Sequence, residues 1–269
     1  MVVAAMALEL ALDDLLRWYL DAGVDETVGE VPVDRFAAST RPAAPPRPIR
    51  PETEDMPAAS VAPAHAAAIH GTAAHIAAGC ATLAELKAAL EAFDGLALKR
   101  TAHATVFADG NPEAALMVIG EAPGQEEDRQ GLPFVGKSGK LLDRMLASIG
   151  LDRGGAYITN VLPWRPLENR KPTPDEVAVC LPFVSRHIEL VDPQVLLLLG
   201  GAAASAILAR SDGINRLRGR WMEFNSPGLS RPVPVLASFH PAYLLRTPEA
   251  KRGAWRDLLM IQRRLAGHP

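Results

Sequence analysis

Four short apolar runs divide the middle and carboxyl-terminal parts of the chain: Leu116–Ile119, Ala156–Leu162, Val195–Leu199 and Val233–Phe239. They are too short for helices, are rich in branched or apolar residues and break at polar or glycine positions, so they read as buried strands. Between them apolar positions recur at helical spacing. Leu141, Leu142, Met145, Leu146 and Ile149 mark a helix over 138–149, and further helices are predicted over 174–191, 202–208 and 255–265. Thr173 and Glu176 have the spacing of a capping box, Pro174 suits a first turn, and Pro182 is expected to kink the helix. An earlier helix, 82–93, shows Leu83, Leu86, Leu90 and Phe93 on one side with Thr82 as its cap. Alternating strands and helices with nearly unbroken apolar strands predict an α/β fold, a parallel sheet covered by helices on both faces.

Upstream the pattern changes. Leu8–Leu20 suggests a short amphipathic helix, and 37–64 turns to alanine and proline, with seven prolines between 42 and 63. The expected organisation is a helical segment (1–36), a flexible Pro/Ala linker (37–75) and a folded domain (76–269). The first segment serves either as a docking peptide or as a loosely packed appendage. His65, His70 and His75 are spaced to walk around a helix, so no metal is expected there.

Composition narrows the class. At 269 residues, 48% hydrophobic and 22% charged, the chain has the make-up of a globular protein with an ample core. Cys80 and Cys180 are the only cysteines, too few for a disulfide framework or a four-cysteine metal site. Acids stand in the amino-terminal stretch where a signal peptide needs bases, and no apolar run reaches spanning length; a cytoplasmic monomer without membrane contact is expected. The net charge of −3 hides an asymmetry. Residues 1–70 hold eleven acidic against five basic side chains, whereas 210–264 hold eleven basic against four acidic. The second region is either a face for phosphates or a solvated arginine-rich surface.

Candidate chemistry collects where the strands end, the edge along which open α/β sheets bind ligands. The first strand runs into Gly120-Glu121-Ala122-Pro123-Gly124, then Glu126-Glu127-Asp128, then Gly131-Leu132-Pro133-Phe134-Val135-Gly136. This is neither a phosphate-binding Gly-Lys-Ser/Thr loop nor a GxGxxG turn. The second strand delivers Asn160, the third Gly200-Gly201 and the fourth His240, followed by Pro241-Ala242-Tyr243-Leu244-Leu245-Arg246. Taken singly, Asn160 serves a turn and His240 a core just as readily. A carboxylate, an amide, an aromatic ring and an imidazole on one edge can together hold a small planar polar ring.

The runs GEAPGQEED, GLPFVGKSG, YITNVLPWRPLENRKPTPDE and HPAYLLR resemble, in order, the motifs of type-4 uracil-DNA glycosylases, and more loosely a phage DNA polymerase amino-terminal region. The resemblance covers about residues 96–265. It implies a three-layer α/β/α domain with a four-stranded parallel sheet, and hydrolysis of the N-glycosidic bond of uracil in single- or double-stranded DNA. On that reading Glu121, Asn160 and His240 are catalytic. Gly120, Ala122, Pro123, Gly124, Glu127 and Phe134 hold the base, with Phe134 stacking and Glu127 crowding the C5 side. Arg165, Tyr243, Leu244, Leu245 and Arg246 meet DNA, the two leucines acting as a wedge.

The family resemblance also implies a [4Fe–4S] cluster on four cysteines. The corresponding positions are Phe93, Leu96, Trp164 and Cys180, and three of them cannot supply a thiolate, so no cofactor is expected. Two other readings stand beside the glycosylase: a DNA-binding accessory domain that has lost turnover, and a phosphate- or nucleotide-binding enzyme built on the glycine loops.

Overall fold

Strands of unbroken apolar sequence need cover on both faces, and three of the predicted runs are buried at every position. The structure is a computed structural model that describes residues 63–267. The predicted 1–36 segment and the 37–62 part of the linker lie outside the described residues. In chain order the elements are α1 (Pro63–Gly79), α2 (Leu83–Ala92), α3 (Leu98–Thr101), β1 (Asp109–Gly110), β2 (Leu116–Gly120), α4 (Gln125–Gln130), α5 (Lys137–Ala147) and β3 (Ala156–Asn160). There follow α6 (Pro174–Val191), β4 (Val195–Leu199), α7 (Gly201–Leu208), α8 (Ile214–Leu217), β5 (Trp221–Phe224), β6 (Val233–Ser238), α9 (Pro241–Arg246) and α10 (Lys251–Leu265).

The sheet runs in the order β1-β3-β2-β4-β6-β5. Its centre, β3-β2-β4-β6, is the expected set of four parallel strands. Two antiparallel edge strands, β1 on β3 and β5 on β6, extend it to six, which corrects the four-stranded expectation. Successive side chains point to opposite faces. Met117, Ile119, Leu196, Leu198, Val235 and Ala237 therefore join one core with residues of α1, α2, α6 and α7. Leu116, Val118, Ile158, Leu197, Leu199 and Leu236 join the other, with α5 and α10.

Helix α1 corrects the linker boundary at 75. Its alanine-rich run has the best intrinsic helix propensity and starts on the last proline of the linker, a residue suited to a first turn. Ala73 and Ala77 are buried in the core, while His70 and His75 are exposed. Among the described residues no group of three or more His, Cys, Asp or Glu could hold a metal. The predicted caps form: Thr82 Oγ1 accepts from Glu85 N at 3.2 Å, and Thr173 and Glu176 close a reciprocal box. Helix α6 is continuous across Pro182.

Parallel register brings Gly120 opposite Asn160, and Leu199 opposite Ser238, so the strand ends form one rim. The β6 end is fixed by a buried ionic network. Ser238 Oγ donates to Asp257 Oδ2 at 2.6 Å, and Arg218 grips the same carboxylate through Nε and Nη2 at 3.1 and 2.7 Å. Arg218 also lies over the Phe239 ring. Burial pushes the Asp257 carboxyl above its usual range, and the Ser238 and Arg218 contacts offset part of that rise. Asp257→Ala removes the partner of a largely buried guanidinium and is expected to cost about 3 kcal/mol, lowering Tm by roughly 10 °C. An unchanged melting curve would show that the network contributes nothing to stability.

Candidate active site

Sharp turns at the strand ends aim side chains into one cleft of about 730 Å³ above the sheet. Glu121, Ala122, Pro123, Gly124, Glu127, Phe134, Asn160, His240, Tyr243 and Arg246, ten of the sequence-predicted site residues, line it together. Gly120 lies beneath: a Cβ there would collide with Asn160 Oδ1 and the Phe134 ring, so only glycine lets the amide and the ring meet over the strand end.

Asn160 closes β3 and is 6% exposed, and its Oδ1 has no hydrogen-bond partner in the protein. A buried acceptor left unpaired costs about 1–3 kcal/mol, so it calls for a donor from outside. Phe134 forms a wall beside it, 4% exposed. Its backbone is left-handed at φ 54°, a conformation that costs a bulky residue about 1–3 kcal/mol and persists only when its surroundings enforce it.

His240 caps α9. Its Nδ1 accepts from the Ala242 amide at 3.1 Å, which leaves the proton of a neutral ring on Nε2. The imidazole lies 5.6 Å from the Phe134 ring, tilted by 32°. Gly200, at φ 93°, makes room for it, since a Cβ there would sit 3.1 Å from His240 Cβ. Burial, and secondarily the Arg246 charge, push the His240 pKa down to about 4, against a smaller opposing pull from Glu127. The ring is neutral at physiological pH and offers a fixed N–H donor. Glu121, half-buried in the cleft lining, is pushed above the usual carboxylate range by burial, with Lys171 pulling it back.

Glu127 is committed to the architecture of the two glycine loops. Its carboxylate accepts from the amides of Gly124 (3.2 Å), Val135 (3.0 Å) and Gly136 (2.9 Å), joining the loops across eight and nine residues. The turn carrying the cleft is thus braced from inside.

At the rim the wedge expectation needs correction. Leu244 is 1% exposed and packs in the core with α5 and α10, because helical spacing turns it inward. The exposed apolar side chains on α9 are Tyr243 at 38% and Leu245 at 45%. Arg165 lies outside the cleft lining, its Nε bonded to Asn169 Oδ1 at 2.8 Å. Residues inside the quoted motif runs to which no role was given also line the cleft: Lys137 and Ser138 at the start of α5, and Asn169 and Arg170 beyond β3. The signal for the first pair is readable afterwards, since a glycine turn before a helix presents that helix's first turn to the cleft.

The four positions that the resemblance assigns to a cluster, Phe93, Leu96, Trp164 and Cys180, lie in one apolar core. Phe93 meets the Phe183 ring edge-on at 5.2 Å, and Trp164, 1% exposed, donates through Nε1 to Thr105 Oγ1 at 3.0 Å. Cys180 is the one thiol among them, and burial raises its pKa, which disfavours the thiolate. The residues present do not fit an iron–sulfur cluster.

The sequence model of the Uracil DNA glycosylase superfamily matches residues 107–259. A type-4 uracil-DNA glycosylase of Archaeoglobus fulgidus is 45% identical over 156 residues, covering 56% of this chain and 77% of the relative. Its counterpart in Thermotoga maritima is 40% identical over 142 residues, 52% of this chain and 71% of the relative. A DNA polymerase of Bacillus phage SP01 is 28% identical over 159 residues, 59% of this chain and 16% of the polymerase.

Proposed function

The chain belongs to the uracil DNA glycosylase superfamily, and on that premise we propose that it hydrolyses the N-glycosidic bond of uracil in DNA. The products are free uracil and an abasic site, the first step of base excision repair. The observation that carries the reading is the buried, unpaired Oδ1 of Asn160 beside an aromatic wall that itself faces a neutral imidazole.

A base inside a duplex is out of reach, so the nucleotide flips out, at a cost of a few kcal/mol that falls for a single strand. Uracil then offers N3–H to Asn160 Oδ1 and O4 to the Asn160 amide N–H, and its ring stacks on Phe134. Cytosine reverses both polarities and leaves buried groups unpaired. Glu127, immobilised by three amides, borders the same cleft and leaves little room for a C5 methyl. As the glycosidic bond breaks, negative charge grows on O2, where the His240 Nε2–H donates, and positive charge grows on the sugar. The Glu121 carboxylate stabilises that cation and orients the water. Arg246, Tyr243 and Leu245 meet the DNA around the extruded nucleotide. Among the described residues no helix is long and apolar enough to cross a membrane. A cytoplasmic monomer completes the proposal; the two free buried cysteines suit the reducing compartment.

Incubating the protein with an oligonucleotide containing one uracil, followed by alkali, tests the function. Strand scission at the uracil is expected without added metal. An intact strand from protein that still binds uracil-DNA would favour the accessory-domain reading, the alternative that the polymerase similarity supports.

The excision rate should fall on the acid side. Glu121 acts ionised, and its raised pKa means the carboxylate is lost, as pH drops, earlier than for an ordinary glutamate. His240 acts neutral and is lost only near its value of about 4. The upper part of the acid limb should therefore disappear in Glu121→Gln. If the limb survives unchanged in that variant, Glu121 is not the group that titrates.

We also propose that the protein works without a cluster, Phe93, Leu96 and Trp164 filling its place. Anaerobically purified protein should be colourless and free of iron. Stoichiometric iron with visible absorbance would overturn this.

A further inference from the structure

No motif draws attention to Arg153, which sits in a short 3-10 turn, Arg153–Gly155, leading into β3. Its guanidinium is used on every edge. Nε donates to Asp143 Oδ1 at 2.9 Å, Nη1 donates to Asp109 and to the Pro133 carbonyl (3.2 Å), and Nη2 donates to the Phe134 carbonyl. Two of its four acceptors are thus the backbone of the left-handed turn that carries the cleft's aromatic wall.

We propose that Arg153 is a positioning residue for base recognition: it holds the Pro133–Phe134 turn so that the Phe134 ring stays under the flipped uracil. This rests on the uracil-excising function proposed above. Arg153 does not line the cleft, and of the four residues it holds only Phe134 does, so the turn is its route to the chemistry. Phe134 at φ 54° does not hold that backbone by preference, and the ring is in place only while the carbonyls are fixed. The Phe134 carbonyl is confined from the other side by α5, where a Cβ on Gly139 would collide with it. Carbonyl, helix and guanidinium form a clamp with the ring projecting from it towards Gly120 and His240.

The residue type follows from the geometry. A planar fork reaches two carbonyls and two carboxylates at once, whereas a lysine ammonium is a single point charge. Without Arg153, the Asp109 and Asp143 carboxylates and two carbonyl oxygens would be left facing one another with no cation between them. The turn would relax towards ordinary backbone, withdrawing the ring. Arg153 is about one-quarter exposed, so a small solute can reach the space its side chain vacates.

The test compares the parent protein with Arg153→Ala and Arg153→Lys in single-turnover excision of a one-uracil oligonucleotide. Binding to undamaged duplex, the melting temperature and excision with millimolar guanidinium are measured alongside. Arg153→Ala is expected to lose about a hundredfold in excision, the scale of a misplacement near 1 Å, with undamaged-DNA binding intact. Guanidinium should restore part of that rate in Arg153→Ala and none in Asn160→Ala. Arg153→Lys should fall between parent and alanine variant. A parental rate in Arg153→Ala, or a loss that guanidinium leaves untouched in folded protein, overturns the assignment. Should Arg153→Ala not fold, a parental rate in Arg153→Lys overturns it equally. A parent protein that excises nothing overturns the glycosylase reading, and the positioning role with it.

Discussion

Asn160→Ala is expected to lower the single-turnover rate of uracil excision by about two to three orders of magnitude and to erase preferential binding to uracil-containing DNA. The amide stands at the end of β3, opposite Gly120, with its oxygen buried and unpaired. A flipped uracil satisfies that oxygen through N3–H and takes a second hydrogen bond at O4. Both bonds form only once the uracil has flipped into the cleft, so their loss lowers the flipped fraction of bound DNA, and the excision rate and uracil-specific affinity should fall together. Two hydrogen bonds in a desolvated site are worth together about 3–4 kcal/mol. Selectivity should fall further than the rate, because the penalty against cytosine comes from leaving that same amide unsatisfied. The measurement is single-turnover excision beside binding to uracil-containing and undamaged DNA. If the rate falls while uracil-specific binding survives, the base is read elsewhere, in the backbone around Phe134.

The convergence of these groups was legible because a parallel sheet aligns its strand ends, whatever the intervening loops do. Four apolar runs therefore placed Glu121, Asn160 and His240 on one rim before any contact was known. The edges of the sheet were not legible. β1 is two residues, Asp109-Gly110, and β5 carries Glu223 at an exposed position, so neither shows the apolar run of a central strand. Neighbouring Leu244 and Leu245 look alike in sequence, yet helical geometry sends one into the core and the other to solvent. Arg153, and the bracing role of Glu127, were hidden for a different reason. Their partners are backbone amides and carbonyls of the loops, contacts to which any residue type contributes and which leave no mark in the pattern. The bracing of the site by side chain on main chain was the part that sequence could not supply. By contrast, the His240-Pro241 pair at a strand-to-helix junction is a readable signal. Proline suits the first helical position, which makes the histidine a cap whose Nδ1 faces the amides of the first turn.

That cap leads to the second large effect. His240→Ala should reduce excision about a hundred- to a thousandfold while leaving binding to uracil-containing DNA largely intact. The Ala242 amide occupies Nδ1, so the neutral ring carries its hydrogen on Nε2, and burial keeps the ring neutral down to about pH 4. Uracil O2 is a weak acceptor before the bond breaks and an anion afterwards. A donor fixed in advance therefore contributes mainly to the transition state, and its loss appears in the chemical rate. A positively charged imidazole would donate more strongly, but the same burial and the nearby Arg246 make that form too costly near neutrality. Asn160→Ala and His240→Ala should thus separate cleanly: the first loses rate and recognition, the second rate alone. If His240→Ala excises at the parental rate, the histidine is only a helix cap, and charge on O2 must be met by the backbone amides of the first loop.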